Sequence, residues 1–309
     1  MESQKSSNPI KIKVIGIGGY GCNCLERLKN LDEQGIERIA ISTHGKVFDR
    51  LKIKNKIALG EEEKYLKGKL DVESVNNLVR KNKLDILNAV KGIDLVFLVG
   101  GISRDINPLI LQRTVELLKD NGILTFVITN KPFSFEGKQK KDVADENYQK
   151  LIEVADAVIC IINDKLIIKG FKATEALAMA DGTLAKYVNE LVEIMSKVGE
   201  INTDFNDFKS TIIDSGRAFF GTAMGNRSKL EETLDKATEN KYFETRFEGS
   251  ERVLYVITAN SELSVGEMKQ IGDFIKERAS ENARIIFGLV IDNTMKDKIK
   301  ITILSGGVN

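Results

Sequence analysis

The chain has 309 residues, more than one compact core usually organises, so two domains sharing an interface are expected. Lys and Arg total 46 against 45 Asp and Glu, a net charge of +1, which gives no electrostatic case for nucleic acid or an anionic membrane as partner. The three cysteines, Cys22, Cys24 and Cys160, suit neither a disulfide framework nor a four-ligand metal site, so a reduced, cytoplasmic chain without a metal centre is expected.

The start, "MESQKSSNP", is polar, and residues 1–8 are expected to form a disordered tail. No apolar run approaches the roughly 20 residues that cross a bilayer, so no membrane insertion is expected. Short β-branched runs then alternate with helix-period segments. "IKIKVIGIG", "RIAIST", "KIALG", "DLVFLVGG", "ILTFVITN" and "AVICIIN" read as strands. They are apolar at nearly every position, which implies cover on both faces and a largely parallel sheet between helices.

From Ala176 the pattern changes to one long helix. Leu177, Ala180, Leu184, Val188, Leu191, Met195 and Val198 recur at steps of three and four as a continuous apolar stripe. A polar turn, "EINTDFND", follows. Strands at "RAFFGTA", "RVLYVIT", "ARIIFGLVID" and "KIKITILS" then alternate with helices at "SKLEETLDKA" and "SVGEMKQIGDFIKERAS". The fold class is therefore α/β. A parallel-sheet, nucleotide-binding-type domain over 9–175 is joined through a central helix and turn, 176–202, to a smaller α/β domain over 203–309.

The chemistry is concentrated in loops. "GIGGYGCN" leads from the first strand into a helix, with Gly16, Gly18 and Gly21 in G-x-G-x-x-G spacing beside Gly19 and Asn23. Glycines let backbone N–H groups approach a phosphate, and the helix N-terminus adds partial positive charge. A dinucleotide site also wants an acidic residue about 20 positions on. Here the second strand ends Ser42-Thr43-His44, so a dinucleotide-dependent oxidoreductase is the weaker alternative, beside a glycine turn that serves packing alone.

The order of glycine loop, parallel sheet, long helix, Asn/Asp turn and second α/β region resembles the FtsZ/tubulin family. Particular strings are close to FtsZ: "IKVIGIGGYGCN", "TNKPFSFEGKQK", "VICIINDKL", "INTDFNDFK" and "ENARIIFGLVID". The resemblance implies GTP or GDP as ligand, with Mg2+ only where nucleotide binds. By the same resemblance Glu136 contacts the ribose, and Asn163 and Asp181 read guanine. Leu177 stands where the family usually has an aromatic ring to stack on the base, Ser42 replaces an asparagine and His44 an aspartate. Near "YLKGKLDVES" the glycine-rich loop of the family is missing. The family's flexible linker and docking peptide are likewise not expected after "SGGVN", so recruitment by that route is not expected.

The main departure is in the loop after the fourth strand. Ser103, Arg104, Asp105, Ile106, Asn107, Pro108 and Leu109 stand where the family has GGGTGTG, and every glycine is gone. Asn107 is a good N-cap and Pro108 suits the first helical position, so a self-capped helix is expected. Asp105 would repel a polyphosphate by about 1 kcal/mol or more, which Arg104 would offset. Impaired or absent GTP binding and hydrolysis is the leading expectation; a GTPase rebuilt on Ser103 and Arg104 is the alternative.

In the family, hydrolysis takes two subunits, and the turn after the long helix supplies acidic residues to the neighbour's GTP. Asn202, Asp204 and Asp207 match that N-x-D-x-x-D pattern and would act in trans if at all; capping of the next helix is the alternative. The expected partners are further copies of this chain or FtsZ-like subunits in a filament.

Overall fold

The computed structural model describes residues 10–60, 72–103, 106–167, 172–196 and 199–308. The tail over 1–8, most of the "YLKGKLDVES" segment, Val198, Arg104 and Asp105 lie outside the described residues.

Six parallel strands form the first part: β1 (Ile12–Ile17), β2 (Glu37–Ser42), β3 (Asn55–Ala58), β4 (Leu95–Gly100), β5 (Leu124–Lys131) and β6 (Ala157–Ile162). Their spatial order is β3-β2-β1-β4-β5-β6. The uninterrupted apolar runs have the expected consequence, because successive side chains serve opposite faces. Val14 and Phe97 join one core, and Ile15 and Leu98 join the other. The first face is covered by α1 (Gly18–Glu26) and α8 (Ala173–Ser196), the second by α4 (Val72–Lys81), α6 (Asn107–Asp120) and α7 (Lys138–Val154); α2 (Asn30–Glu33), α3 (Gly45–Asp49) and α5 (Lys83–Ala89) are short connecting helices.

The last four strands, β7 (Gly216–Asn226), β8 (Arg252–Ala259), β9 (Arg284–Ile291) and β10 (Lys298–Gly306), continue the same sheet in the order β7-β10-β8-β9. β10 runs antiparallel to both β7 and β8, and β8 pairs parallel with β9. The two parts meet in a short parallel ladder, Ala157 with Gly216 and Val158 with Arg217. On this part lie α10 (Leu230–Thr238) and α11 (Val265–Arg278), the latter capped reciprocally by Ser264 and Glu267.

The long helix departs from its sequence reading in two respects. It begins at Ala173, because the Glu175 carboxylate accepts the Lys172 backbone N–H at 2.9 Å and holds the first turn. The stripe also starts one position earlier: Ala176 is buried and Leu177 is 49% exposed, whereas Ala180, Leu184, Val188 and Leu191 face inward as expected. Among the described residues no helix is long and apolar enough to cross a membrane.

Candidate functional site

In a parallel sheet the strand order reverses once, and a crevice opens there outside the carboxyl ends of the strands. Here β1 and β4 are neighbours, β2 and β3 lie to one side, and β5 and β6 lie to the other. The loops after β1 and β4 therefore face each other across the crevice.

The glycines of the first loop divide by role. A Cβ on Gly21 would lie 2.2 Å from the Val99 carbonyl oxygen, and one on Gly16 would lie 2.5 Å from that of Gly21. Those two let α1 press against β1 and β4. Gly18 has φ +68, a left-handed angle that favours glycine, while Gly19 faces open space. Cys22 and Cys24 pack inward between them, and burial pushes the Cys22 thiol up to about 12, so neither is a poised thiolate. Asn23 is exposed.

The second loop corrects the expected cap. The N-cap of α6 is Ile106, with helical angles and no side-chain cap; Asn107 is the first helical residue and Pro108 the second. The Asn107 amide is turned away from its own helix: all three heavy atoms of its tip would lie 2.6–2.8 Å from a Cβ on Gly18. The first backbone bond of the helix runs from the Ile110 N–H to the Ile106 oxygen at 2.9 Å, and buried Pro108 has no N–H to present. Ser103, Ile106 and Leu109 are half-buried.

Polar atoms without partners gather at the same edge. Among the described residues, the Tyr20 hydroxyl, the Thr43 hydroxyl and the Asn163 amide oxygen are buried with no hydrogen-bond partner. They follow β1, β2 and β6 respectively. Asp181, on the third turn of α8, is pushed by burial up to about 6, and Arg27 opposes the rise. Burial first, then the Asp181 and Glu136 carboxylates among the nearby charges, hold the Tyr20 hydroxyl far above the ordinary tyrosine range. Glu136 is already engaged: it accepts the Phe133 N–H at 3.1 Å and pairs with Lys140 at 2.9 Å. Ser42 likewise closes on its own loop, accepting the His44 N–H at 3.1 Å, and the His44 side chain is exposed.

The acidic turn is remote from this crevice. From Asp181 to the end of α8 the helix rises roughly 20 Å, so Asp204 and Asp207 cannot reach the crevice of their own chain. Asp204 is the N-cap of α9 (Phe205–Ile212): it accepts the Asp207 N–H at 2.9 Å, and Asp207 accepts the Asp204 N–H at 3.0 Å. Asn202 accepts the Gly199 N–H at 2.7 Å. Each acid thus commits one oxygen to the cap and retains another.

The two sides of the crevice differ in what they offer a ligand. Buried polar atoms in want of partners follow β1, β2 and β6, while the facing loops after β1 and β4 hold an amide against Gly18 and a proline in the first helical turn. Sequence reading missed Tyr20. The available signal was a large ring set among the glycines of "GGYG".

An α/β sheet with two loops opposed across its point of reversal defines a doubly wound α/β protein with a ligand crevice at that point. The family model for the tubulin/FtsZ GTPase domain matches residues 11–169, and that for the FtsZ C-terminal domain matches 216–309. The cell division protein FtsZ of Coxiella burnetii is 31% identical over 99% of this chain and 81% of its own length. That of Pseudomonas aeruginosa is 31% identical over 96% of this chain and 77% of its own. The solved structure of an empty FtsZ dimer from M. jannaschii has a TM-score of 0.82 at 26% identity, covering 98% of this chain and 89% of that one. A GTPγS-bound protofilament of CetZ2 from Haloferax volcanii has a TM-score of 0.81 over 97% of this chain and 94% of that one; at 17% identity it shows likeness of fold alone. The chain belongs to the tubulin/FtsZ family of cytoskeletal proteins.

Proposed function

We propose that this chain is a cytoplasmic FtsZ-type filament protein, acting in cell division, that assembles with itself or with an FtsZ-like partner and binds GTP weakly or not at all. The observation that supports this is the Asn107 amide seated against Gly18, with Pro108 in the turn behind it. A triphosphate needs that space and a row of backbone N–H groups aimed into it. Mg2+ enters only with nucleotide. The division into units over 9–175, 176–202 and 203–309 belongs to this reading, with the acidic turn as the surface offered to a neighbour. In a mixed filament Asp204 and Asp207 would serve the partner's nucleotide through the oxygens that the cap leaves over. Sedimentation and electron microscopy test the proposal: polymer is expected without added nucleotide, or on addition of an FtsZ partner. Absence of polymer under every one of these conditions would refute it.

The second reading, a GTPase with a rebuilt phosphate loop, is favoured by the unpartnered buried amide oxygen of Asn163 after β6, which suits a bound base. It requires GTP turnover that rises with protein concentration and disappears in Asp204→Ala. Wild-type protein with no turnover at high concentration in magnesium would remove it.

A further inference from the structure

We infer that Tyr20 is an internal plug of the crevice: its ring takes the space between the two phosphate-facing loops, and a nucleotide enters only as that ring leaves. The inference deepens the reading of a weak nucleotide site and rests on it. Tyr20 stands in the first turn of α1, between open Gly19 and tightly packed Gly21. A Cβ on Gly101, the residue after β4, would lie 3.5 Å from the Tyr20 Cβ and 3.7 Å from two ring atoms, so the ring spans from the first loop to the second. Its far end lies within electrostatic reach of Asp181, of buried Cys24 and Cys160, and of Glu136.

The hydroxyl shows what kind of plug this is. It is buried and has no hydrogen-bond partner, so the ring is held by packing on Gly101 and the core around it, with no polar anchor. A side chain held only by packing can be displaced by a ligand that satisfies the same walls. Asn107 acts beside it at the phosphate end, where its amide covers Gly18. Two side chains from two loops thus stand where a ligand of the size of a nucleoside diphosphate or triphosphate would lie.

Calorimetry of nucleotide-stripped protein with GTP and with GDP, in magnesium, tests this on the wild type, Tyr20→Gly and Tyr20→Phe. Tyr20→Gly is expected to bind at least tenfold more tightly than the wild type. Tyr20→Phe is expected to retain the block, because the ring and not the hydroxyl fills the crevice. Gain of binding in Tyr20→Phe equal to that in Tyr20→Gly would overturn the assignment to the ring. Unchanged or weaker binding by Tyr20→Gly, with its melting temperature intact, would overturn the plug; if that variant fails to fold, Tyr20→Ala carries the same test with less cost to the helix. Tight binding by the wild type instead overturns the reading of a weakened site, so the two failures are distinct.

Discussion

At single residues the crevice separates folding from ligand chemistry. Gly21 and Gly19 are close in sequence, yet one abuts a strand carbonyl and the other faces open space. Gly21→Ala forces its methyl into the Val99 oxygen, which cannot yield without moving β4, and is expected to cost about 3 kcal/mol in urea denaturation. Gly19→Ala is expected to change stability by less than about 1 kcal/mol. Asp181 adds a signed pH dependence. Burial raises its folded value to about 6 from an ordinary 3.8, so the folded chain takes up a proton that the unfolded chain does not bind in that window. Stability therefore rises as pH falls from about 6 to about 4, and the burial penalty is fully present above 6. Asp181→Asn is expected to melt higher than the wild type at neutral pH and to lose this rise, measured by thermal denaturation across the window.

Within elements, substitution can separate the cap that the acidic turn makes from the role toward a neighbour's nucleotide proposed for it. Asp204→Ala removes the N-cap acceptor of α9 and is expected to cost about 1 kcal/mol in urea denaturation. Asp204→Ser keeps an acceptor without the charge and is expected to recover most of that loss. Recovery of stability without recovery of any GTP turnover in a mixed filament would assign the carboxylate to chemistry; recovery of both would leave it a cap. The same contrast shows what the sequence made legible. The strands of the first part were readable because burial on both faces leaves uninterrupted apolar runs, and the Asp204–Asp207 cap because it is local. The cap of α6 was not, since what turns Asn107 aside is Gly18 in a distant loop. The first position of the α8 stripe was not legible either, because Ala176, a small residue, takes the inward place beside exposed Leu177. The unbroken sheet through β6 and β7 rests on a ladder so short that no pattern marks it.

For the whole molecule, a filament built head to tail must join two different ends, since a heterologous contact repeats without closing. The crevice end carries exposed apolar side chains: Phe135 is 61% exposed, Leu177 49% and Ile167 43%. Their loops are tied together, for the Ser134 N–H bonds to the Asp164 carboxylate at 2.8 Å, and Phe135 stacks on buried Phe133 with centroids 4.9 Å apart. Single exposed apolar residues are ordinary on a protein surface, but a group of them around one mouth is suited to being covered. If the next subunit covers this end, Phe135→Asp with Leu177→Asp desolvates two charges in the contact and is expected to reduce pelletable polymer by at least tenfold. Neither side chain is part of a core, and the main loss is the Phe135 ring's stack on Phe133, so the stability of the monomer should fall by no more than about 1–2 kcal/mol. The pair of measurements fixes the meaning of the result. Lost polymer with an unchanged monomer places the contact at the crevice mouth, where assembly and the Tyr20 plug would share one surface; unchanged polymer places the contact elsewhere and separates the two.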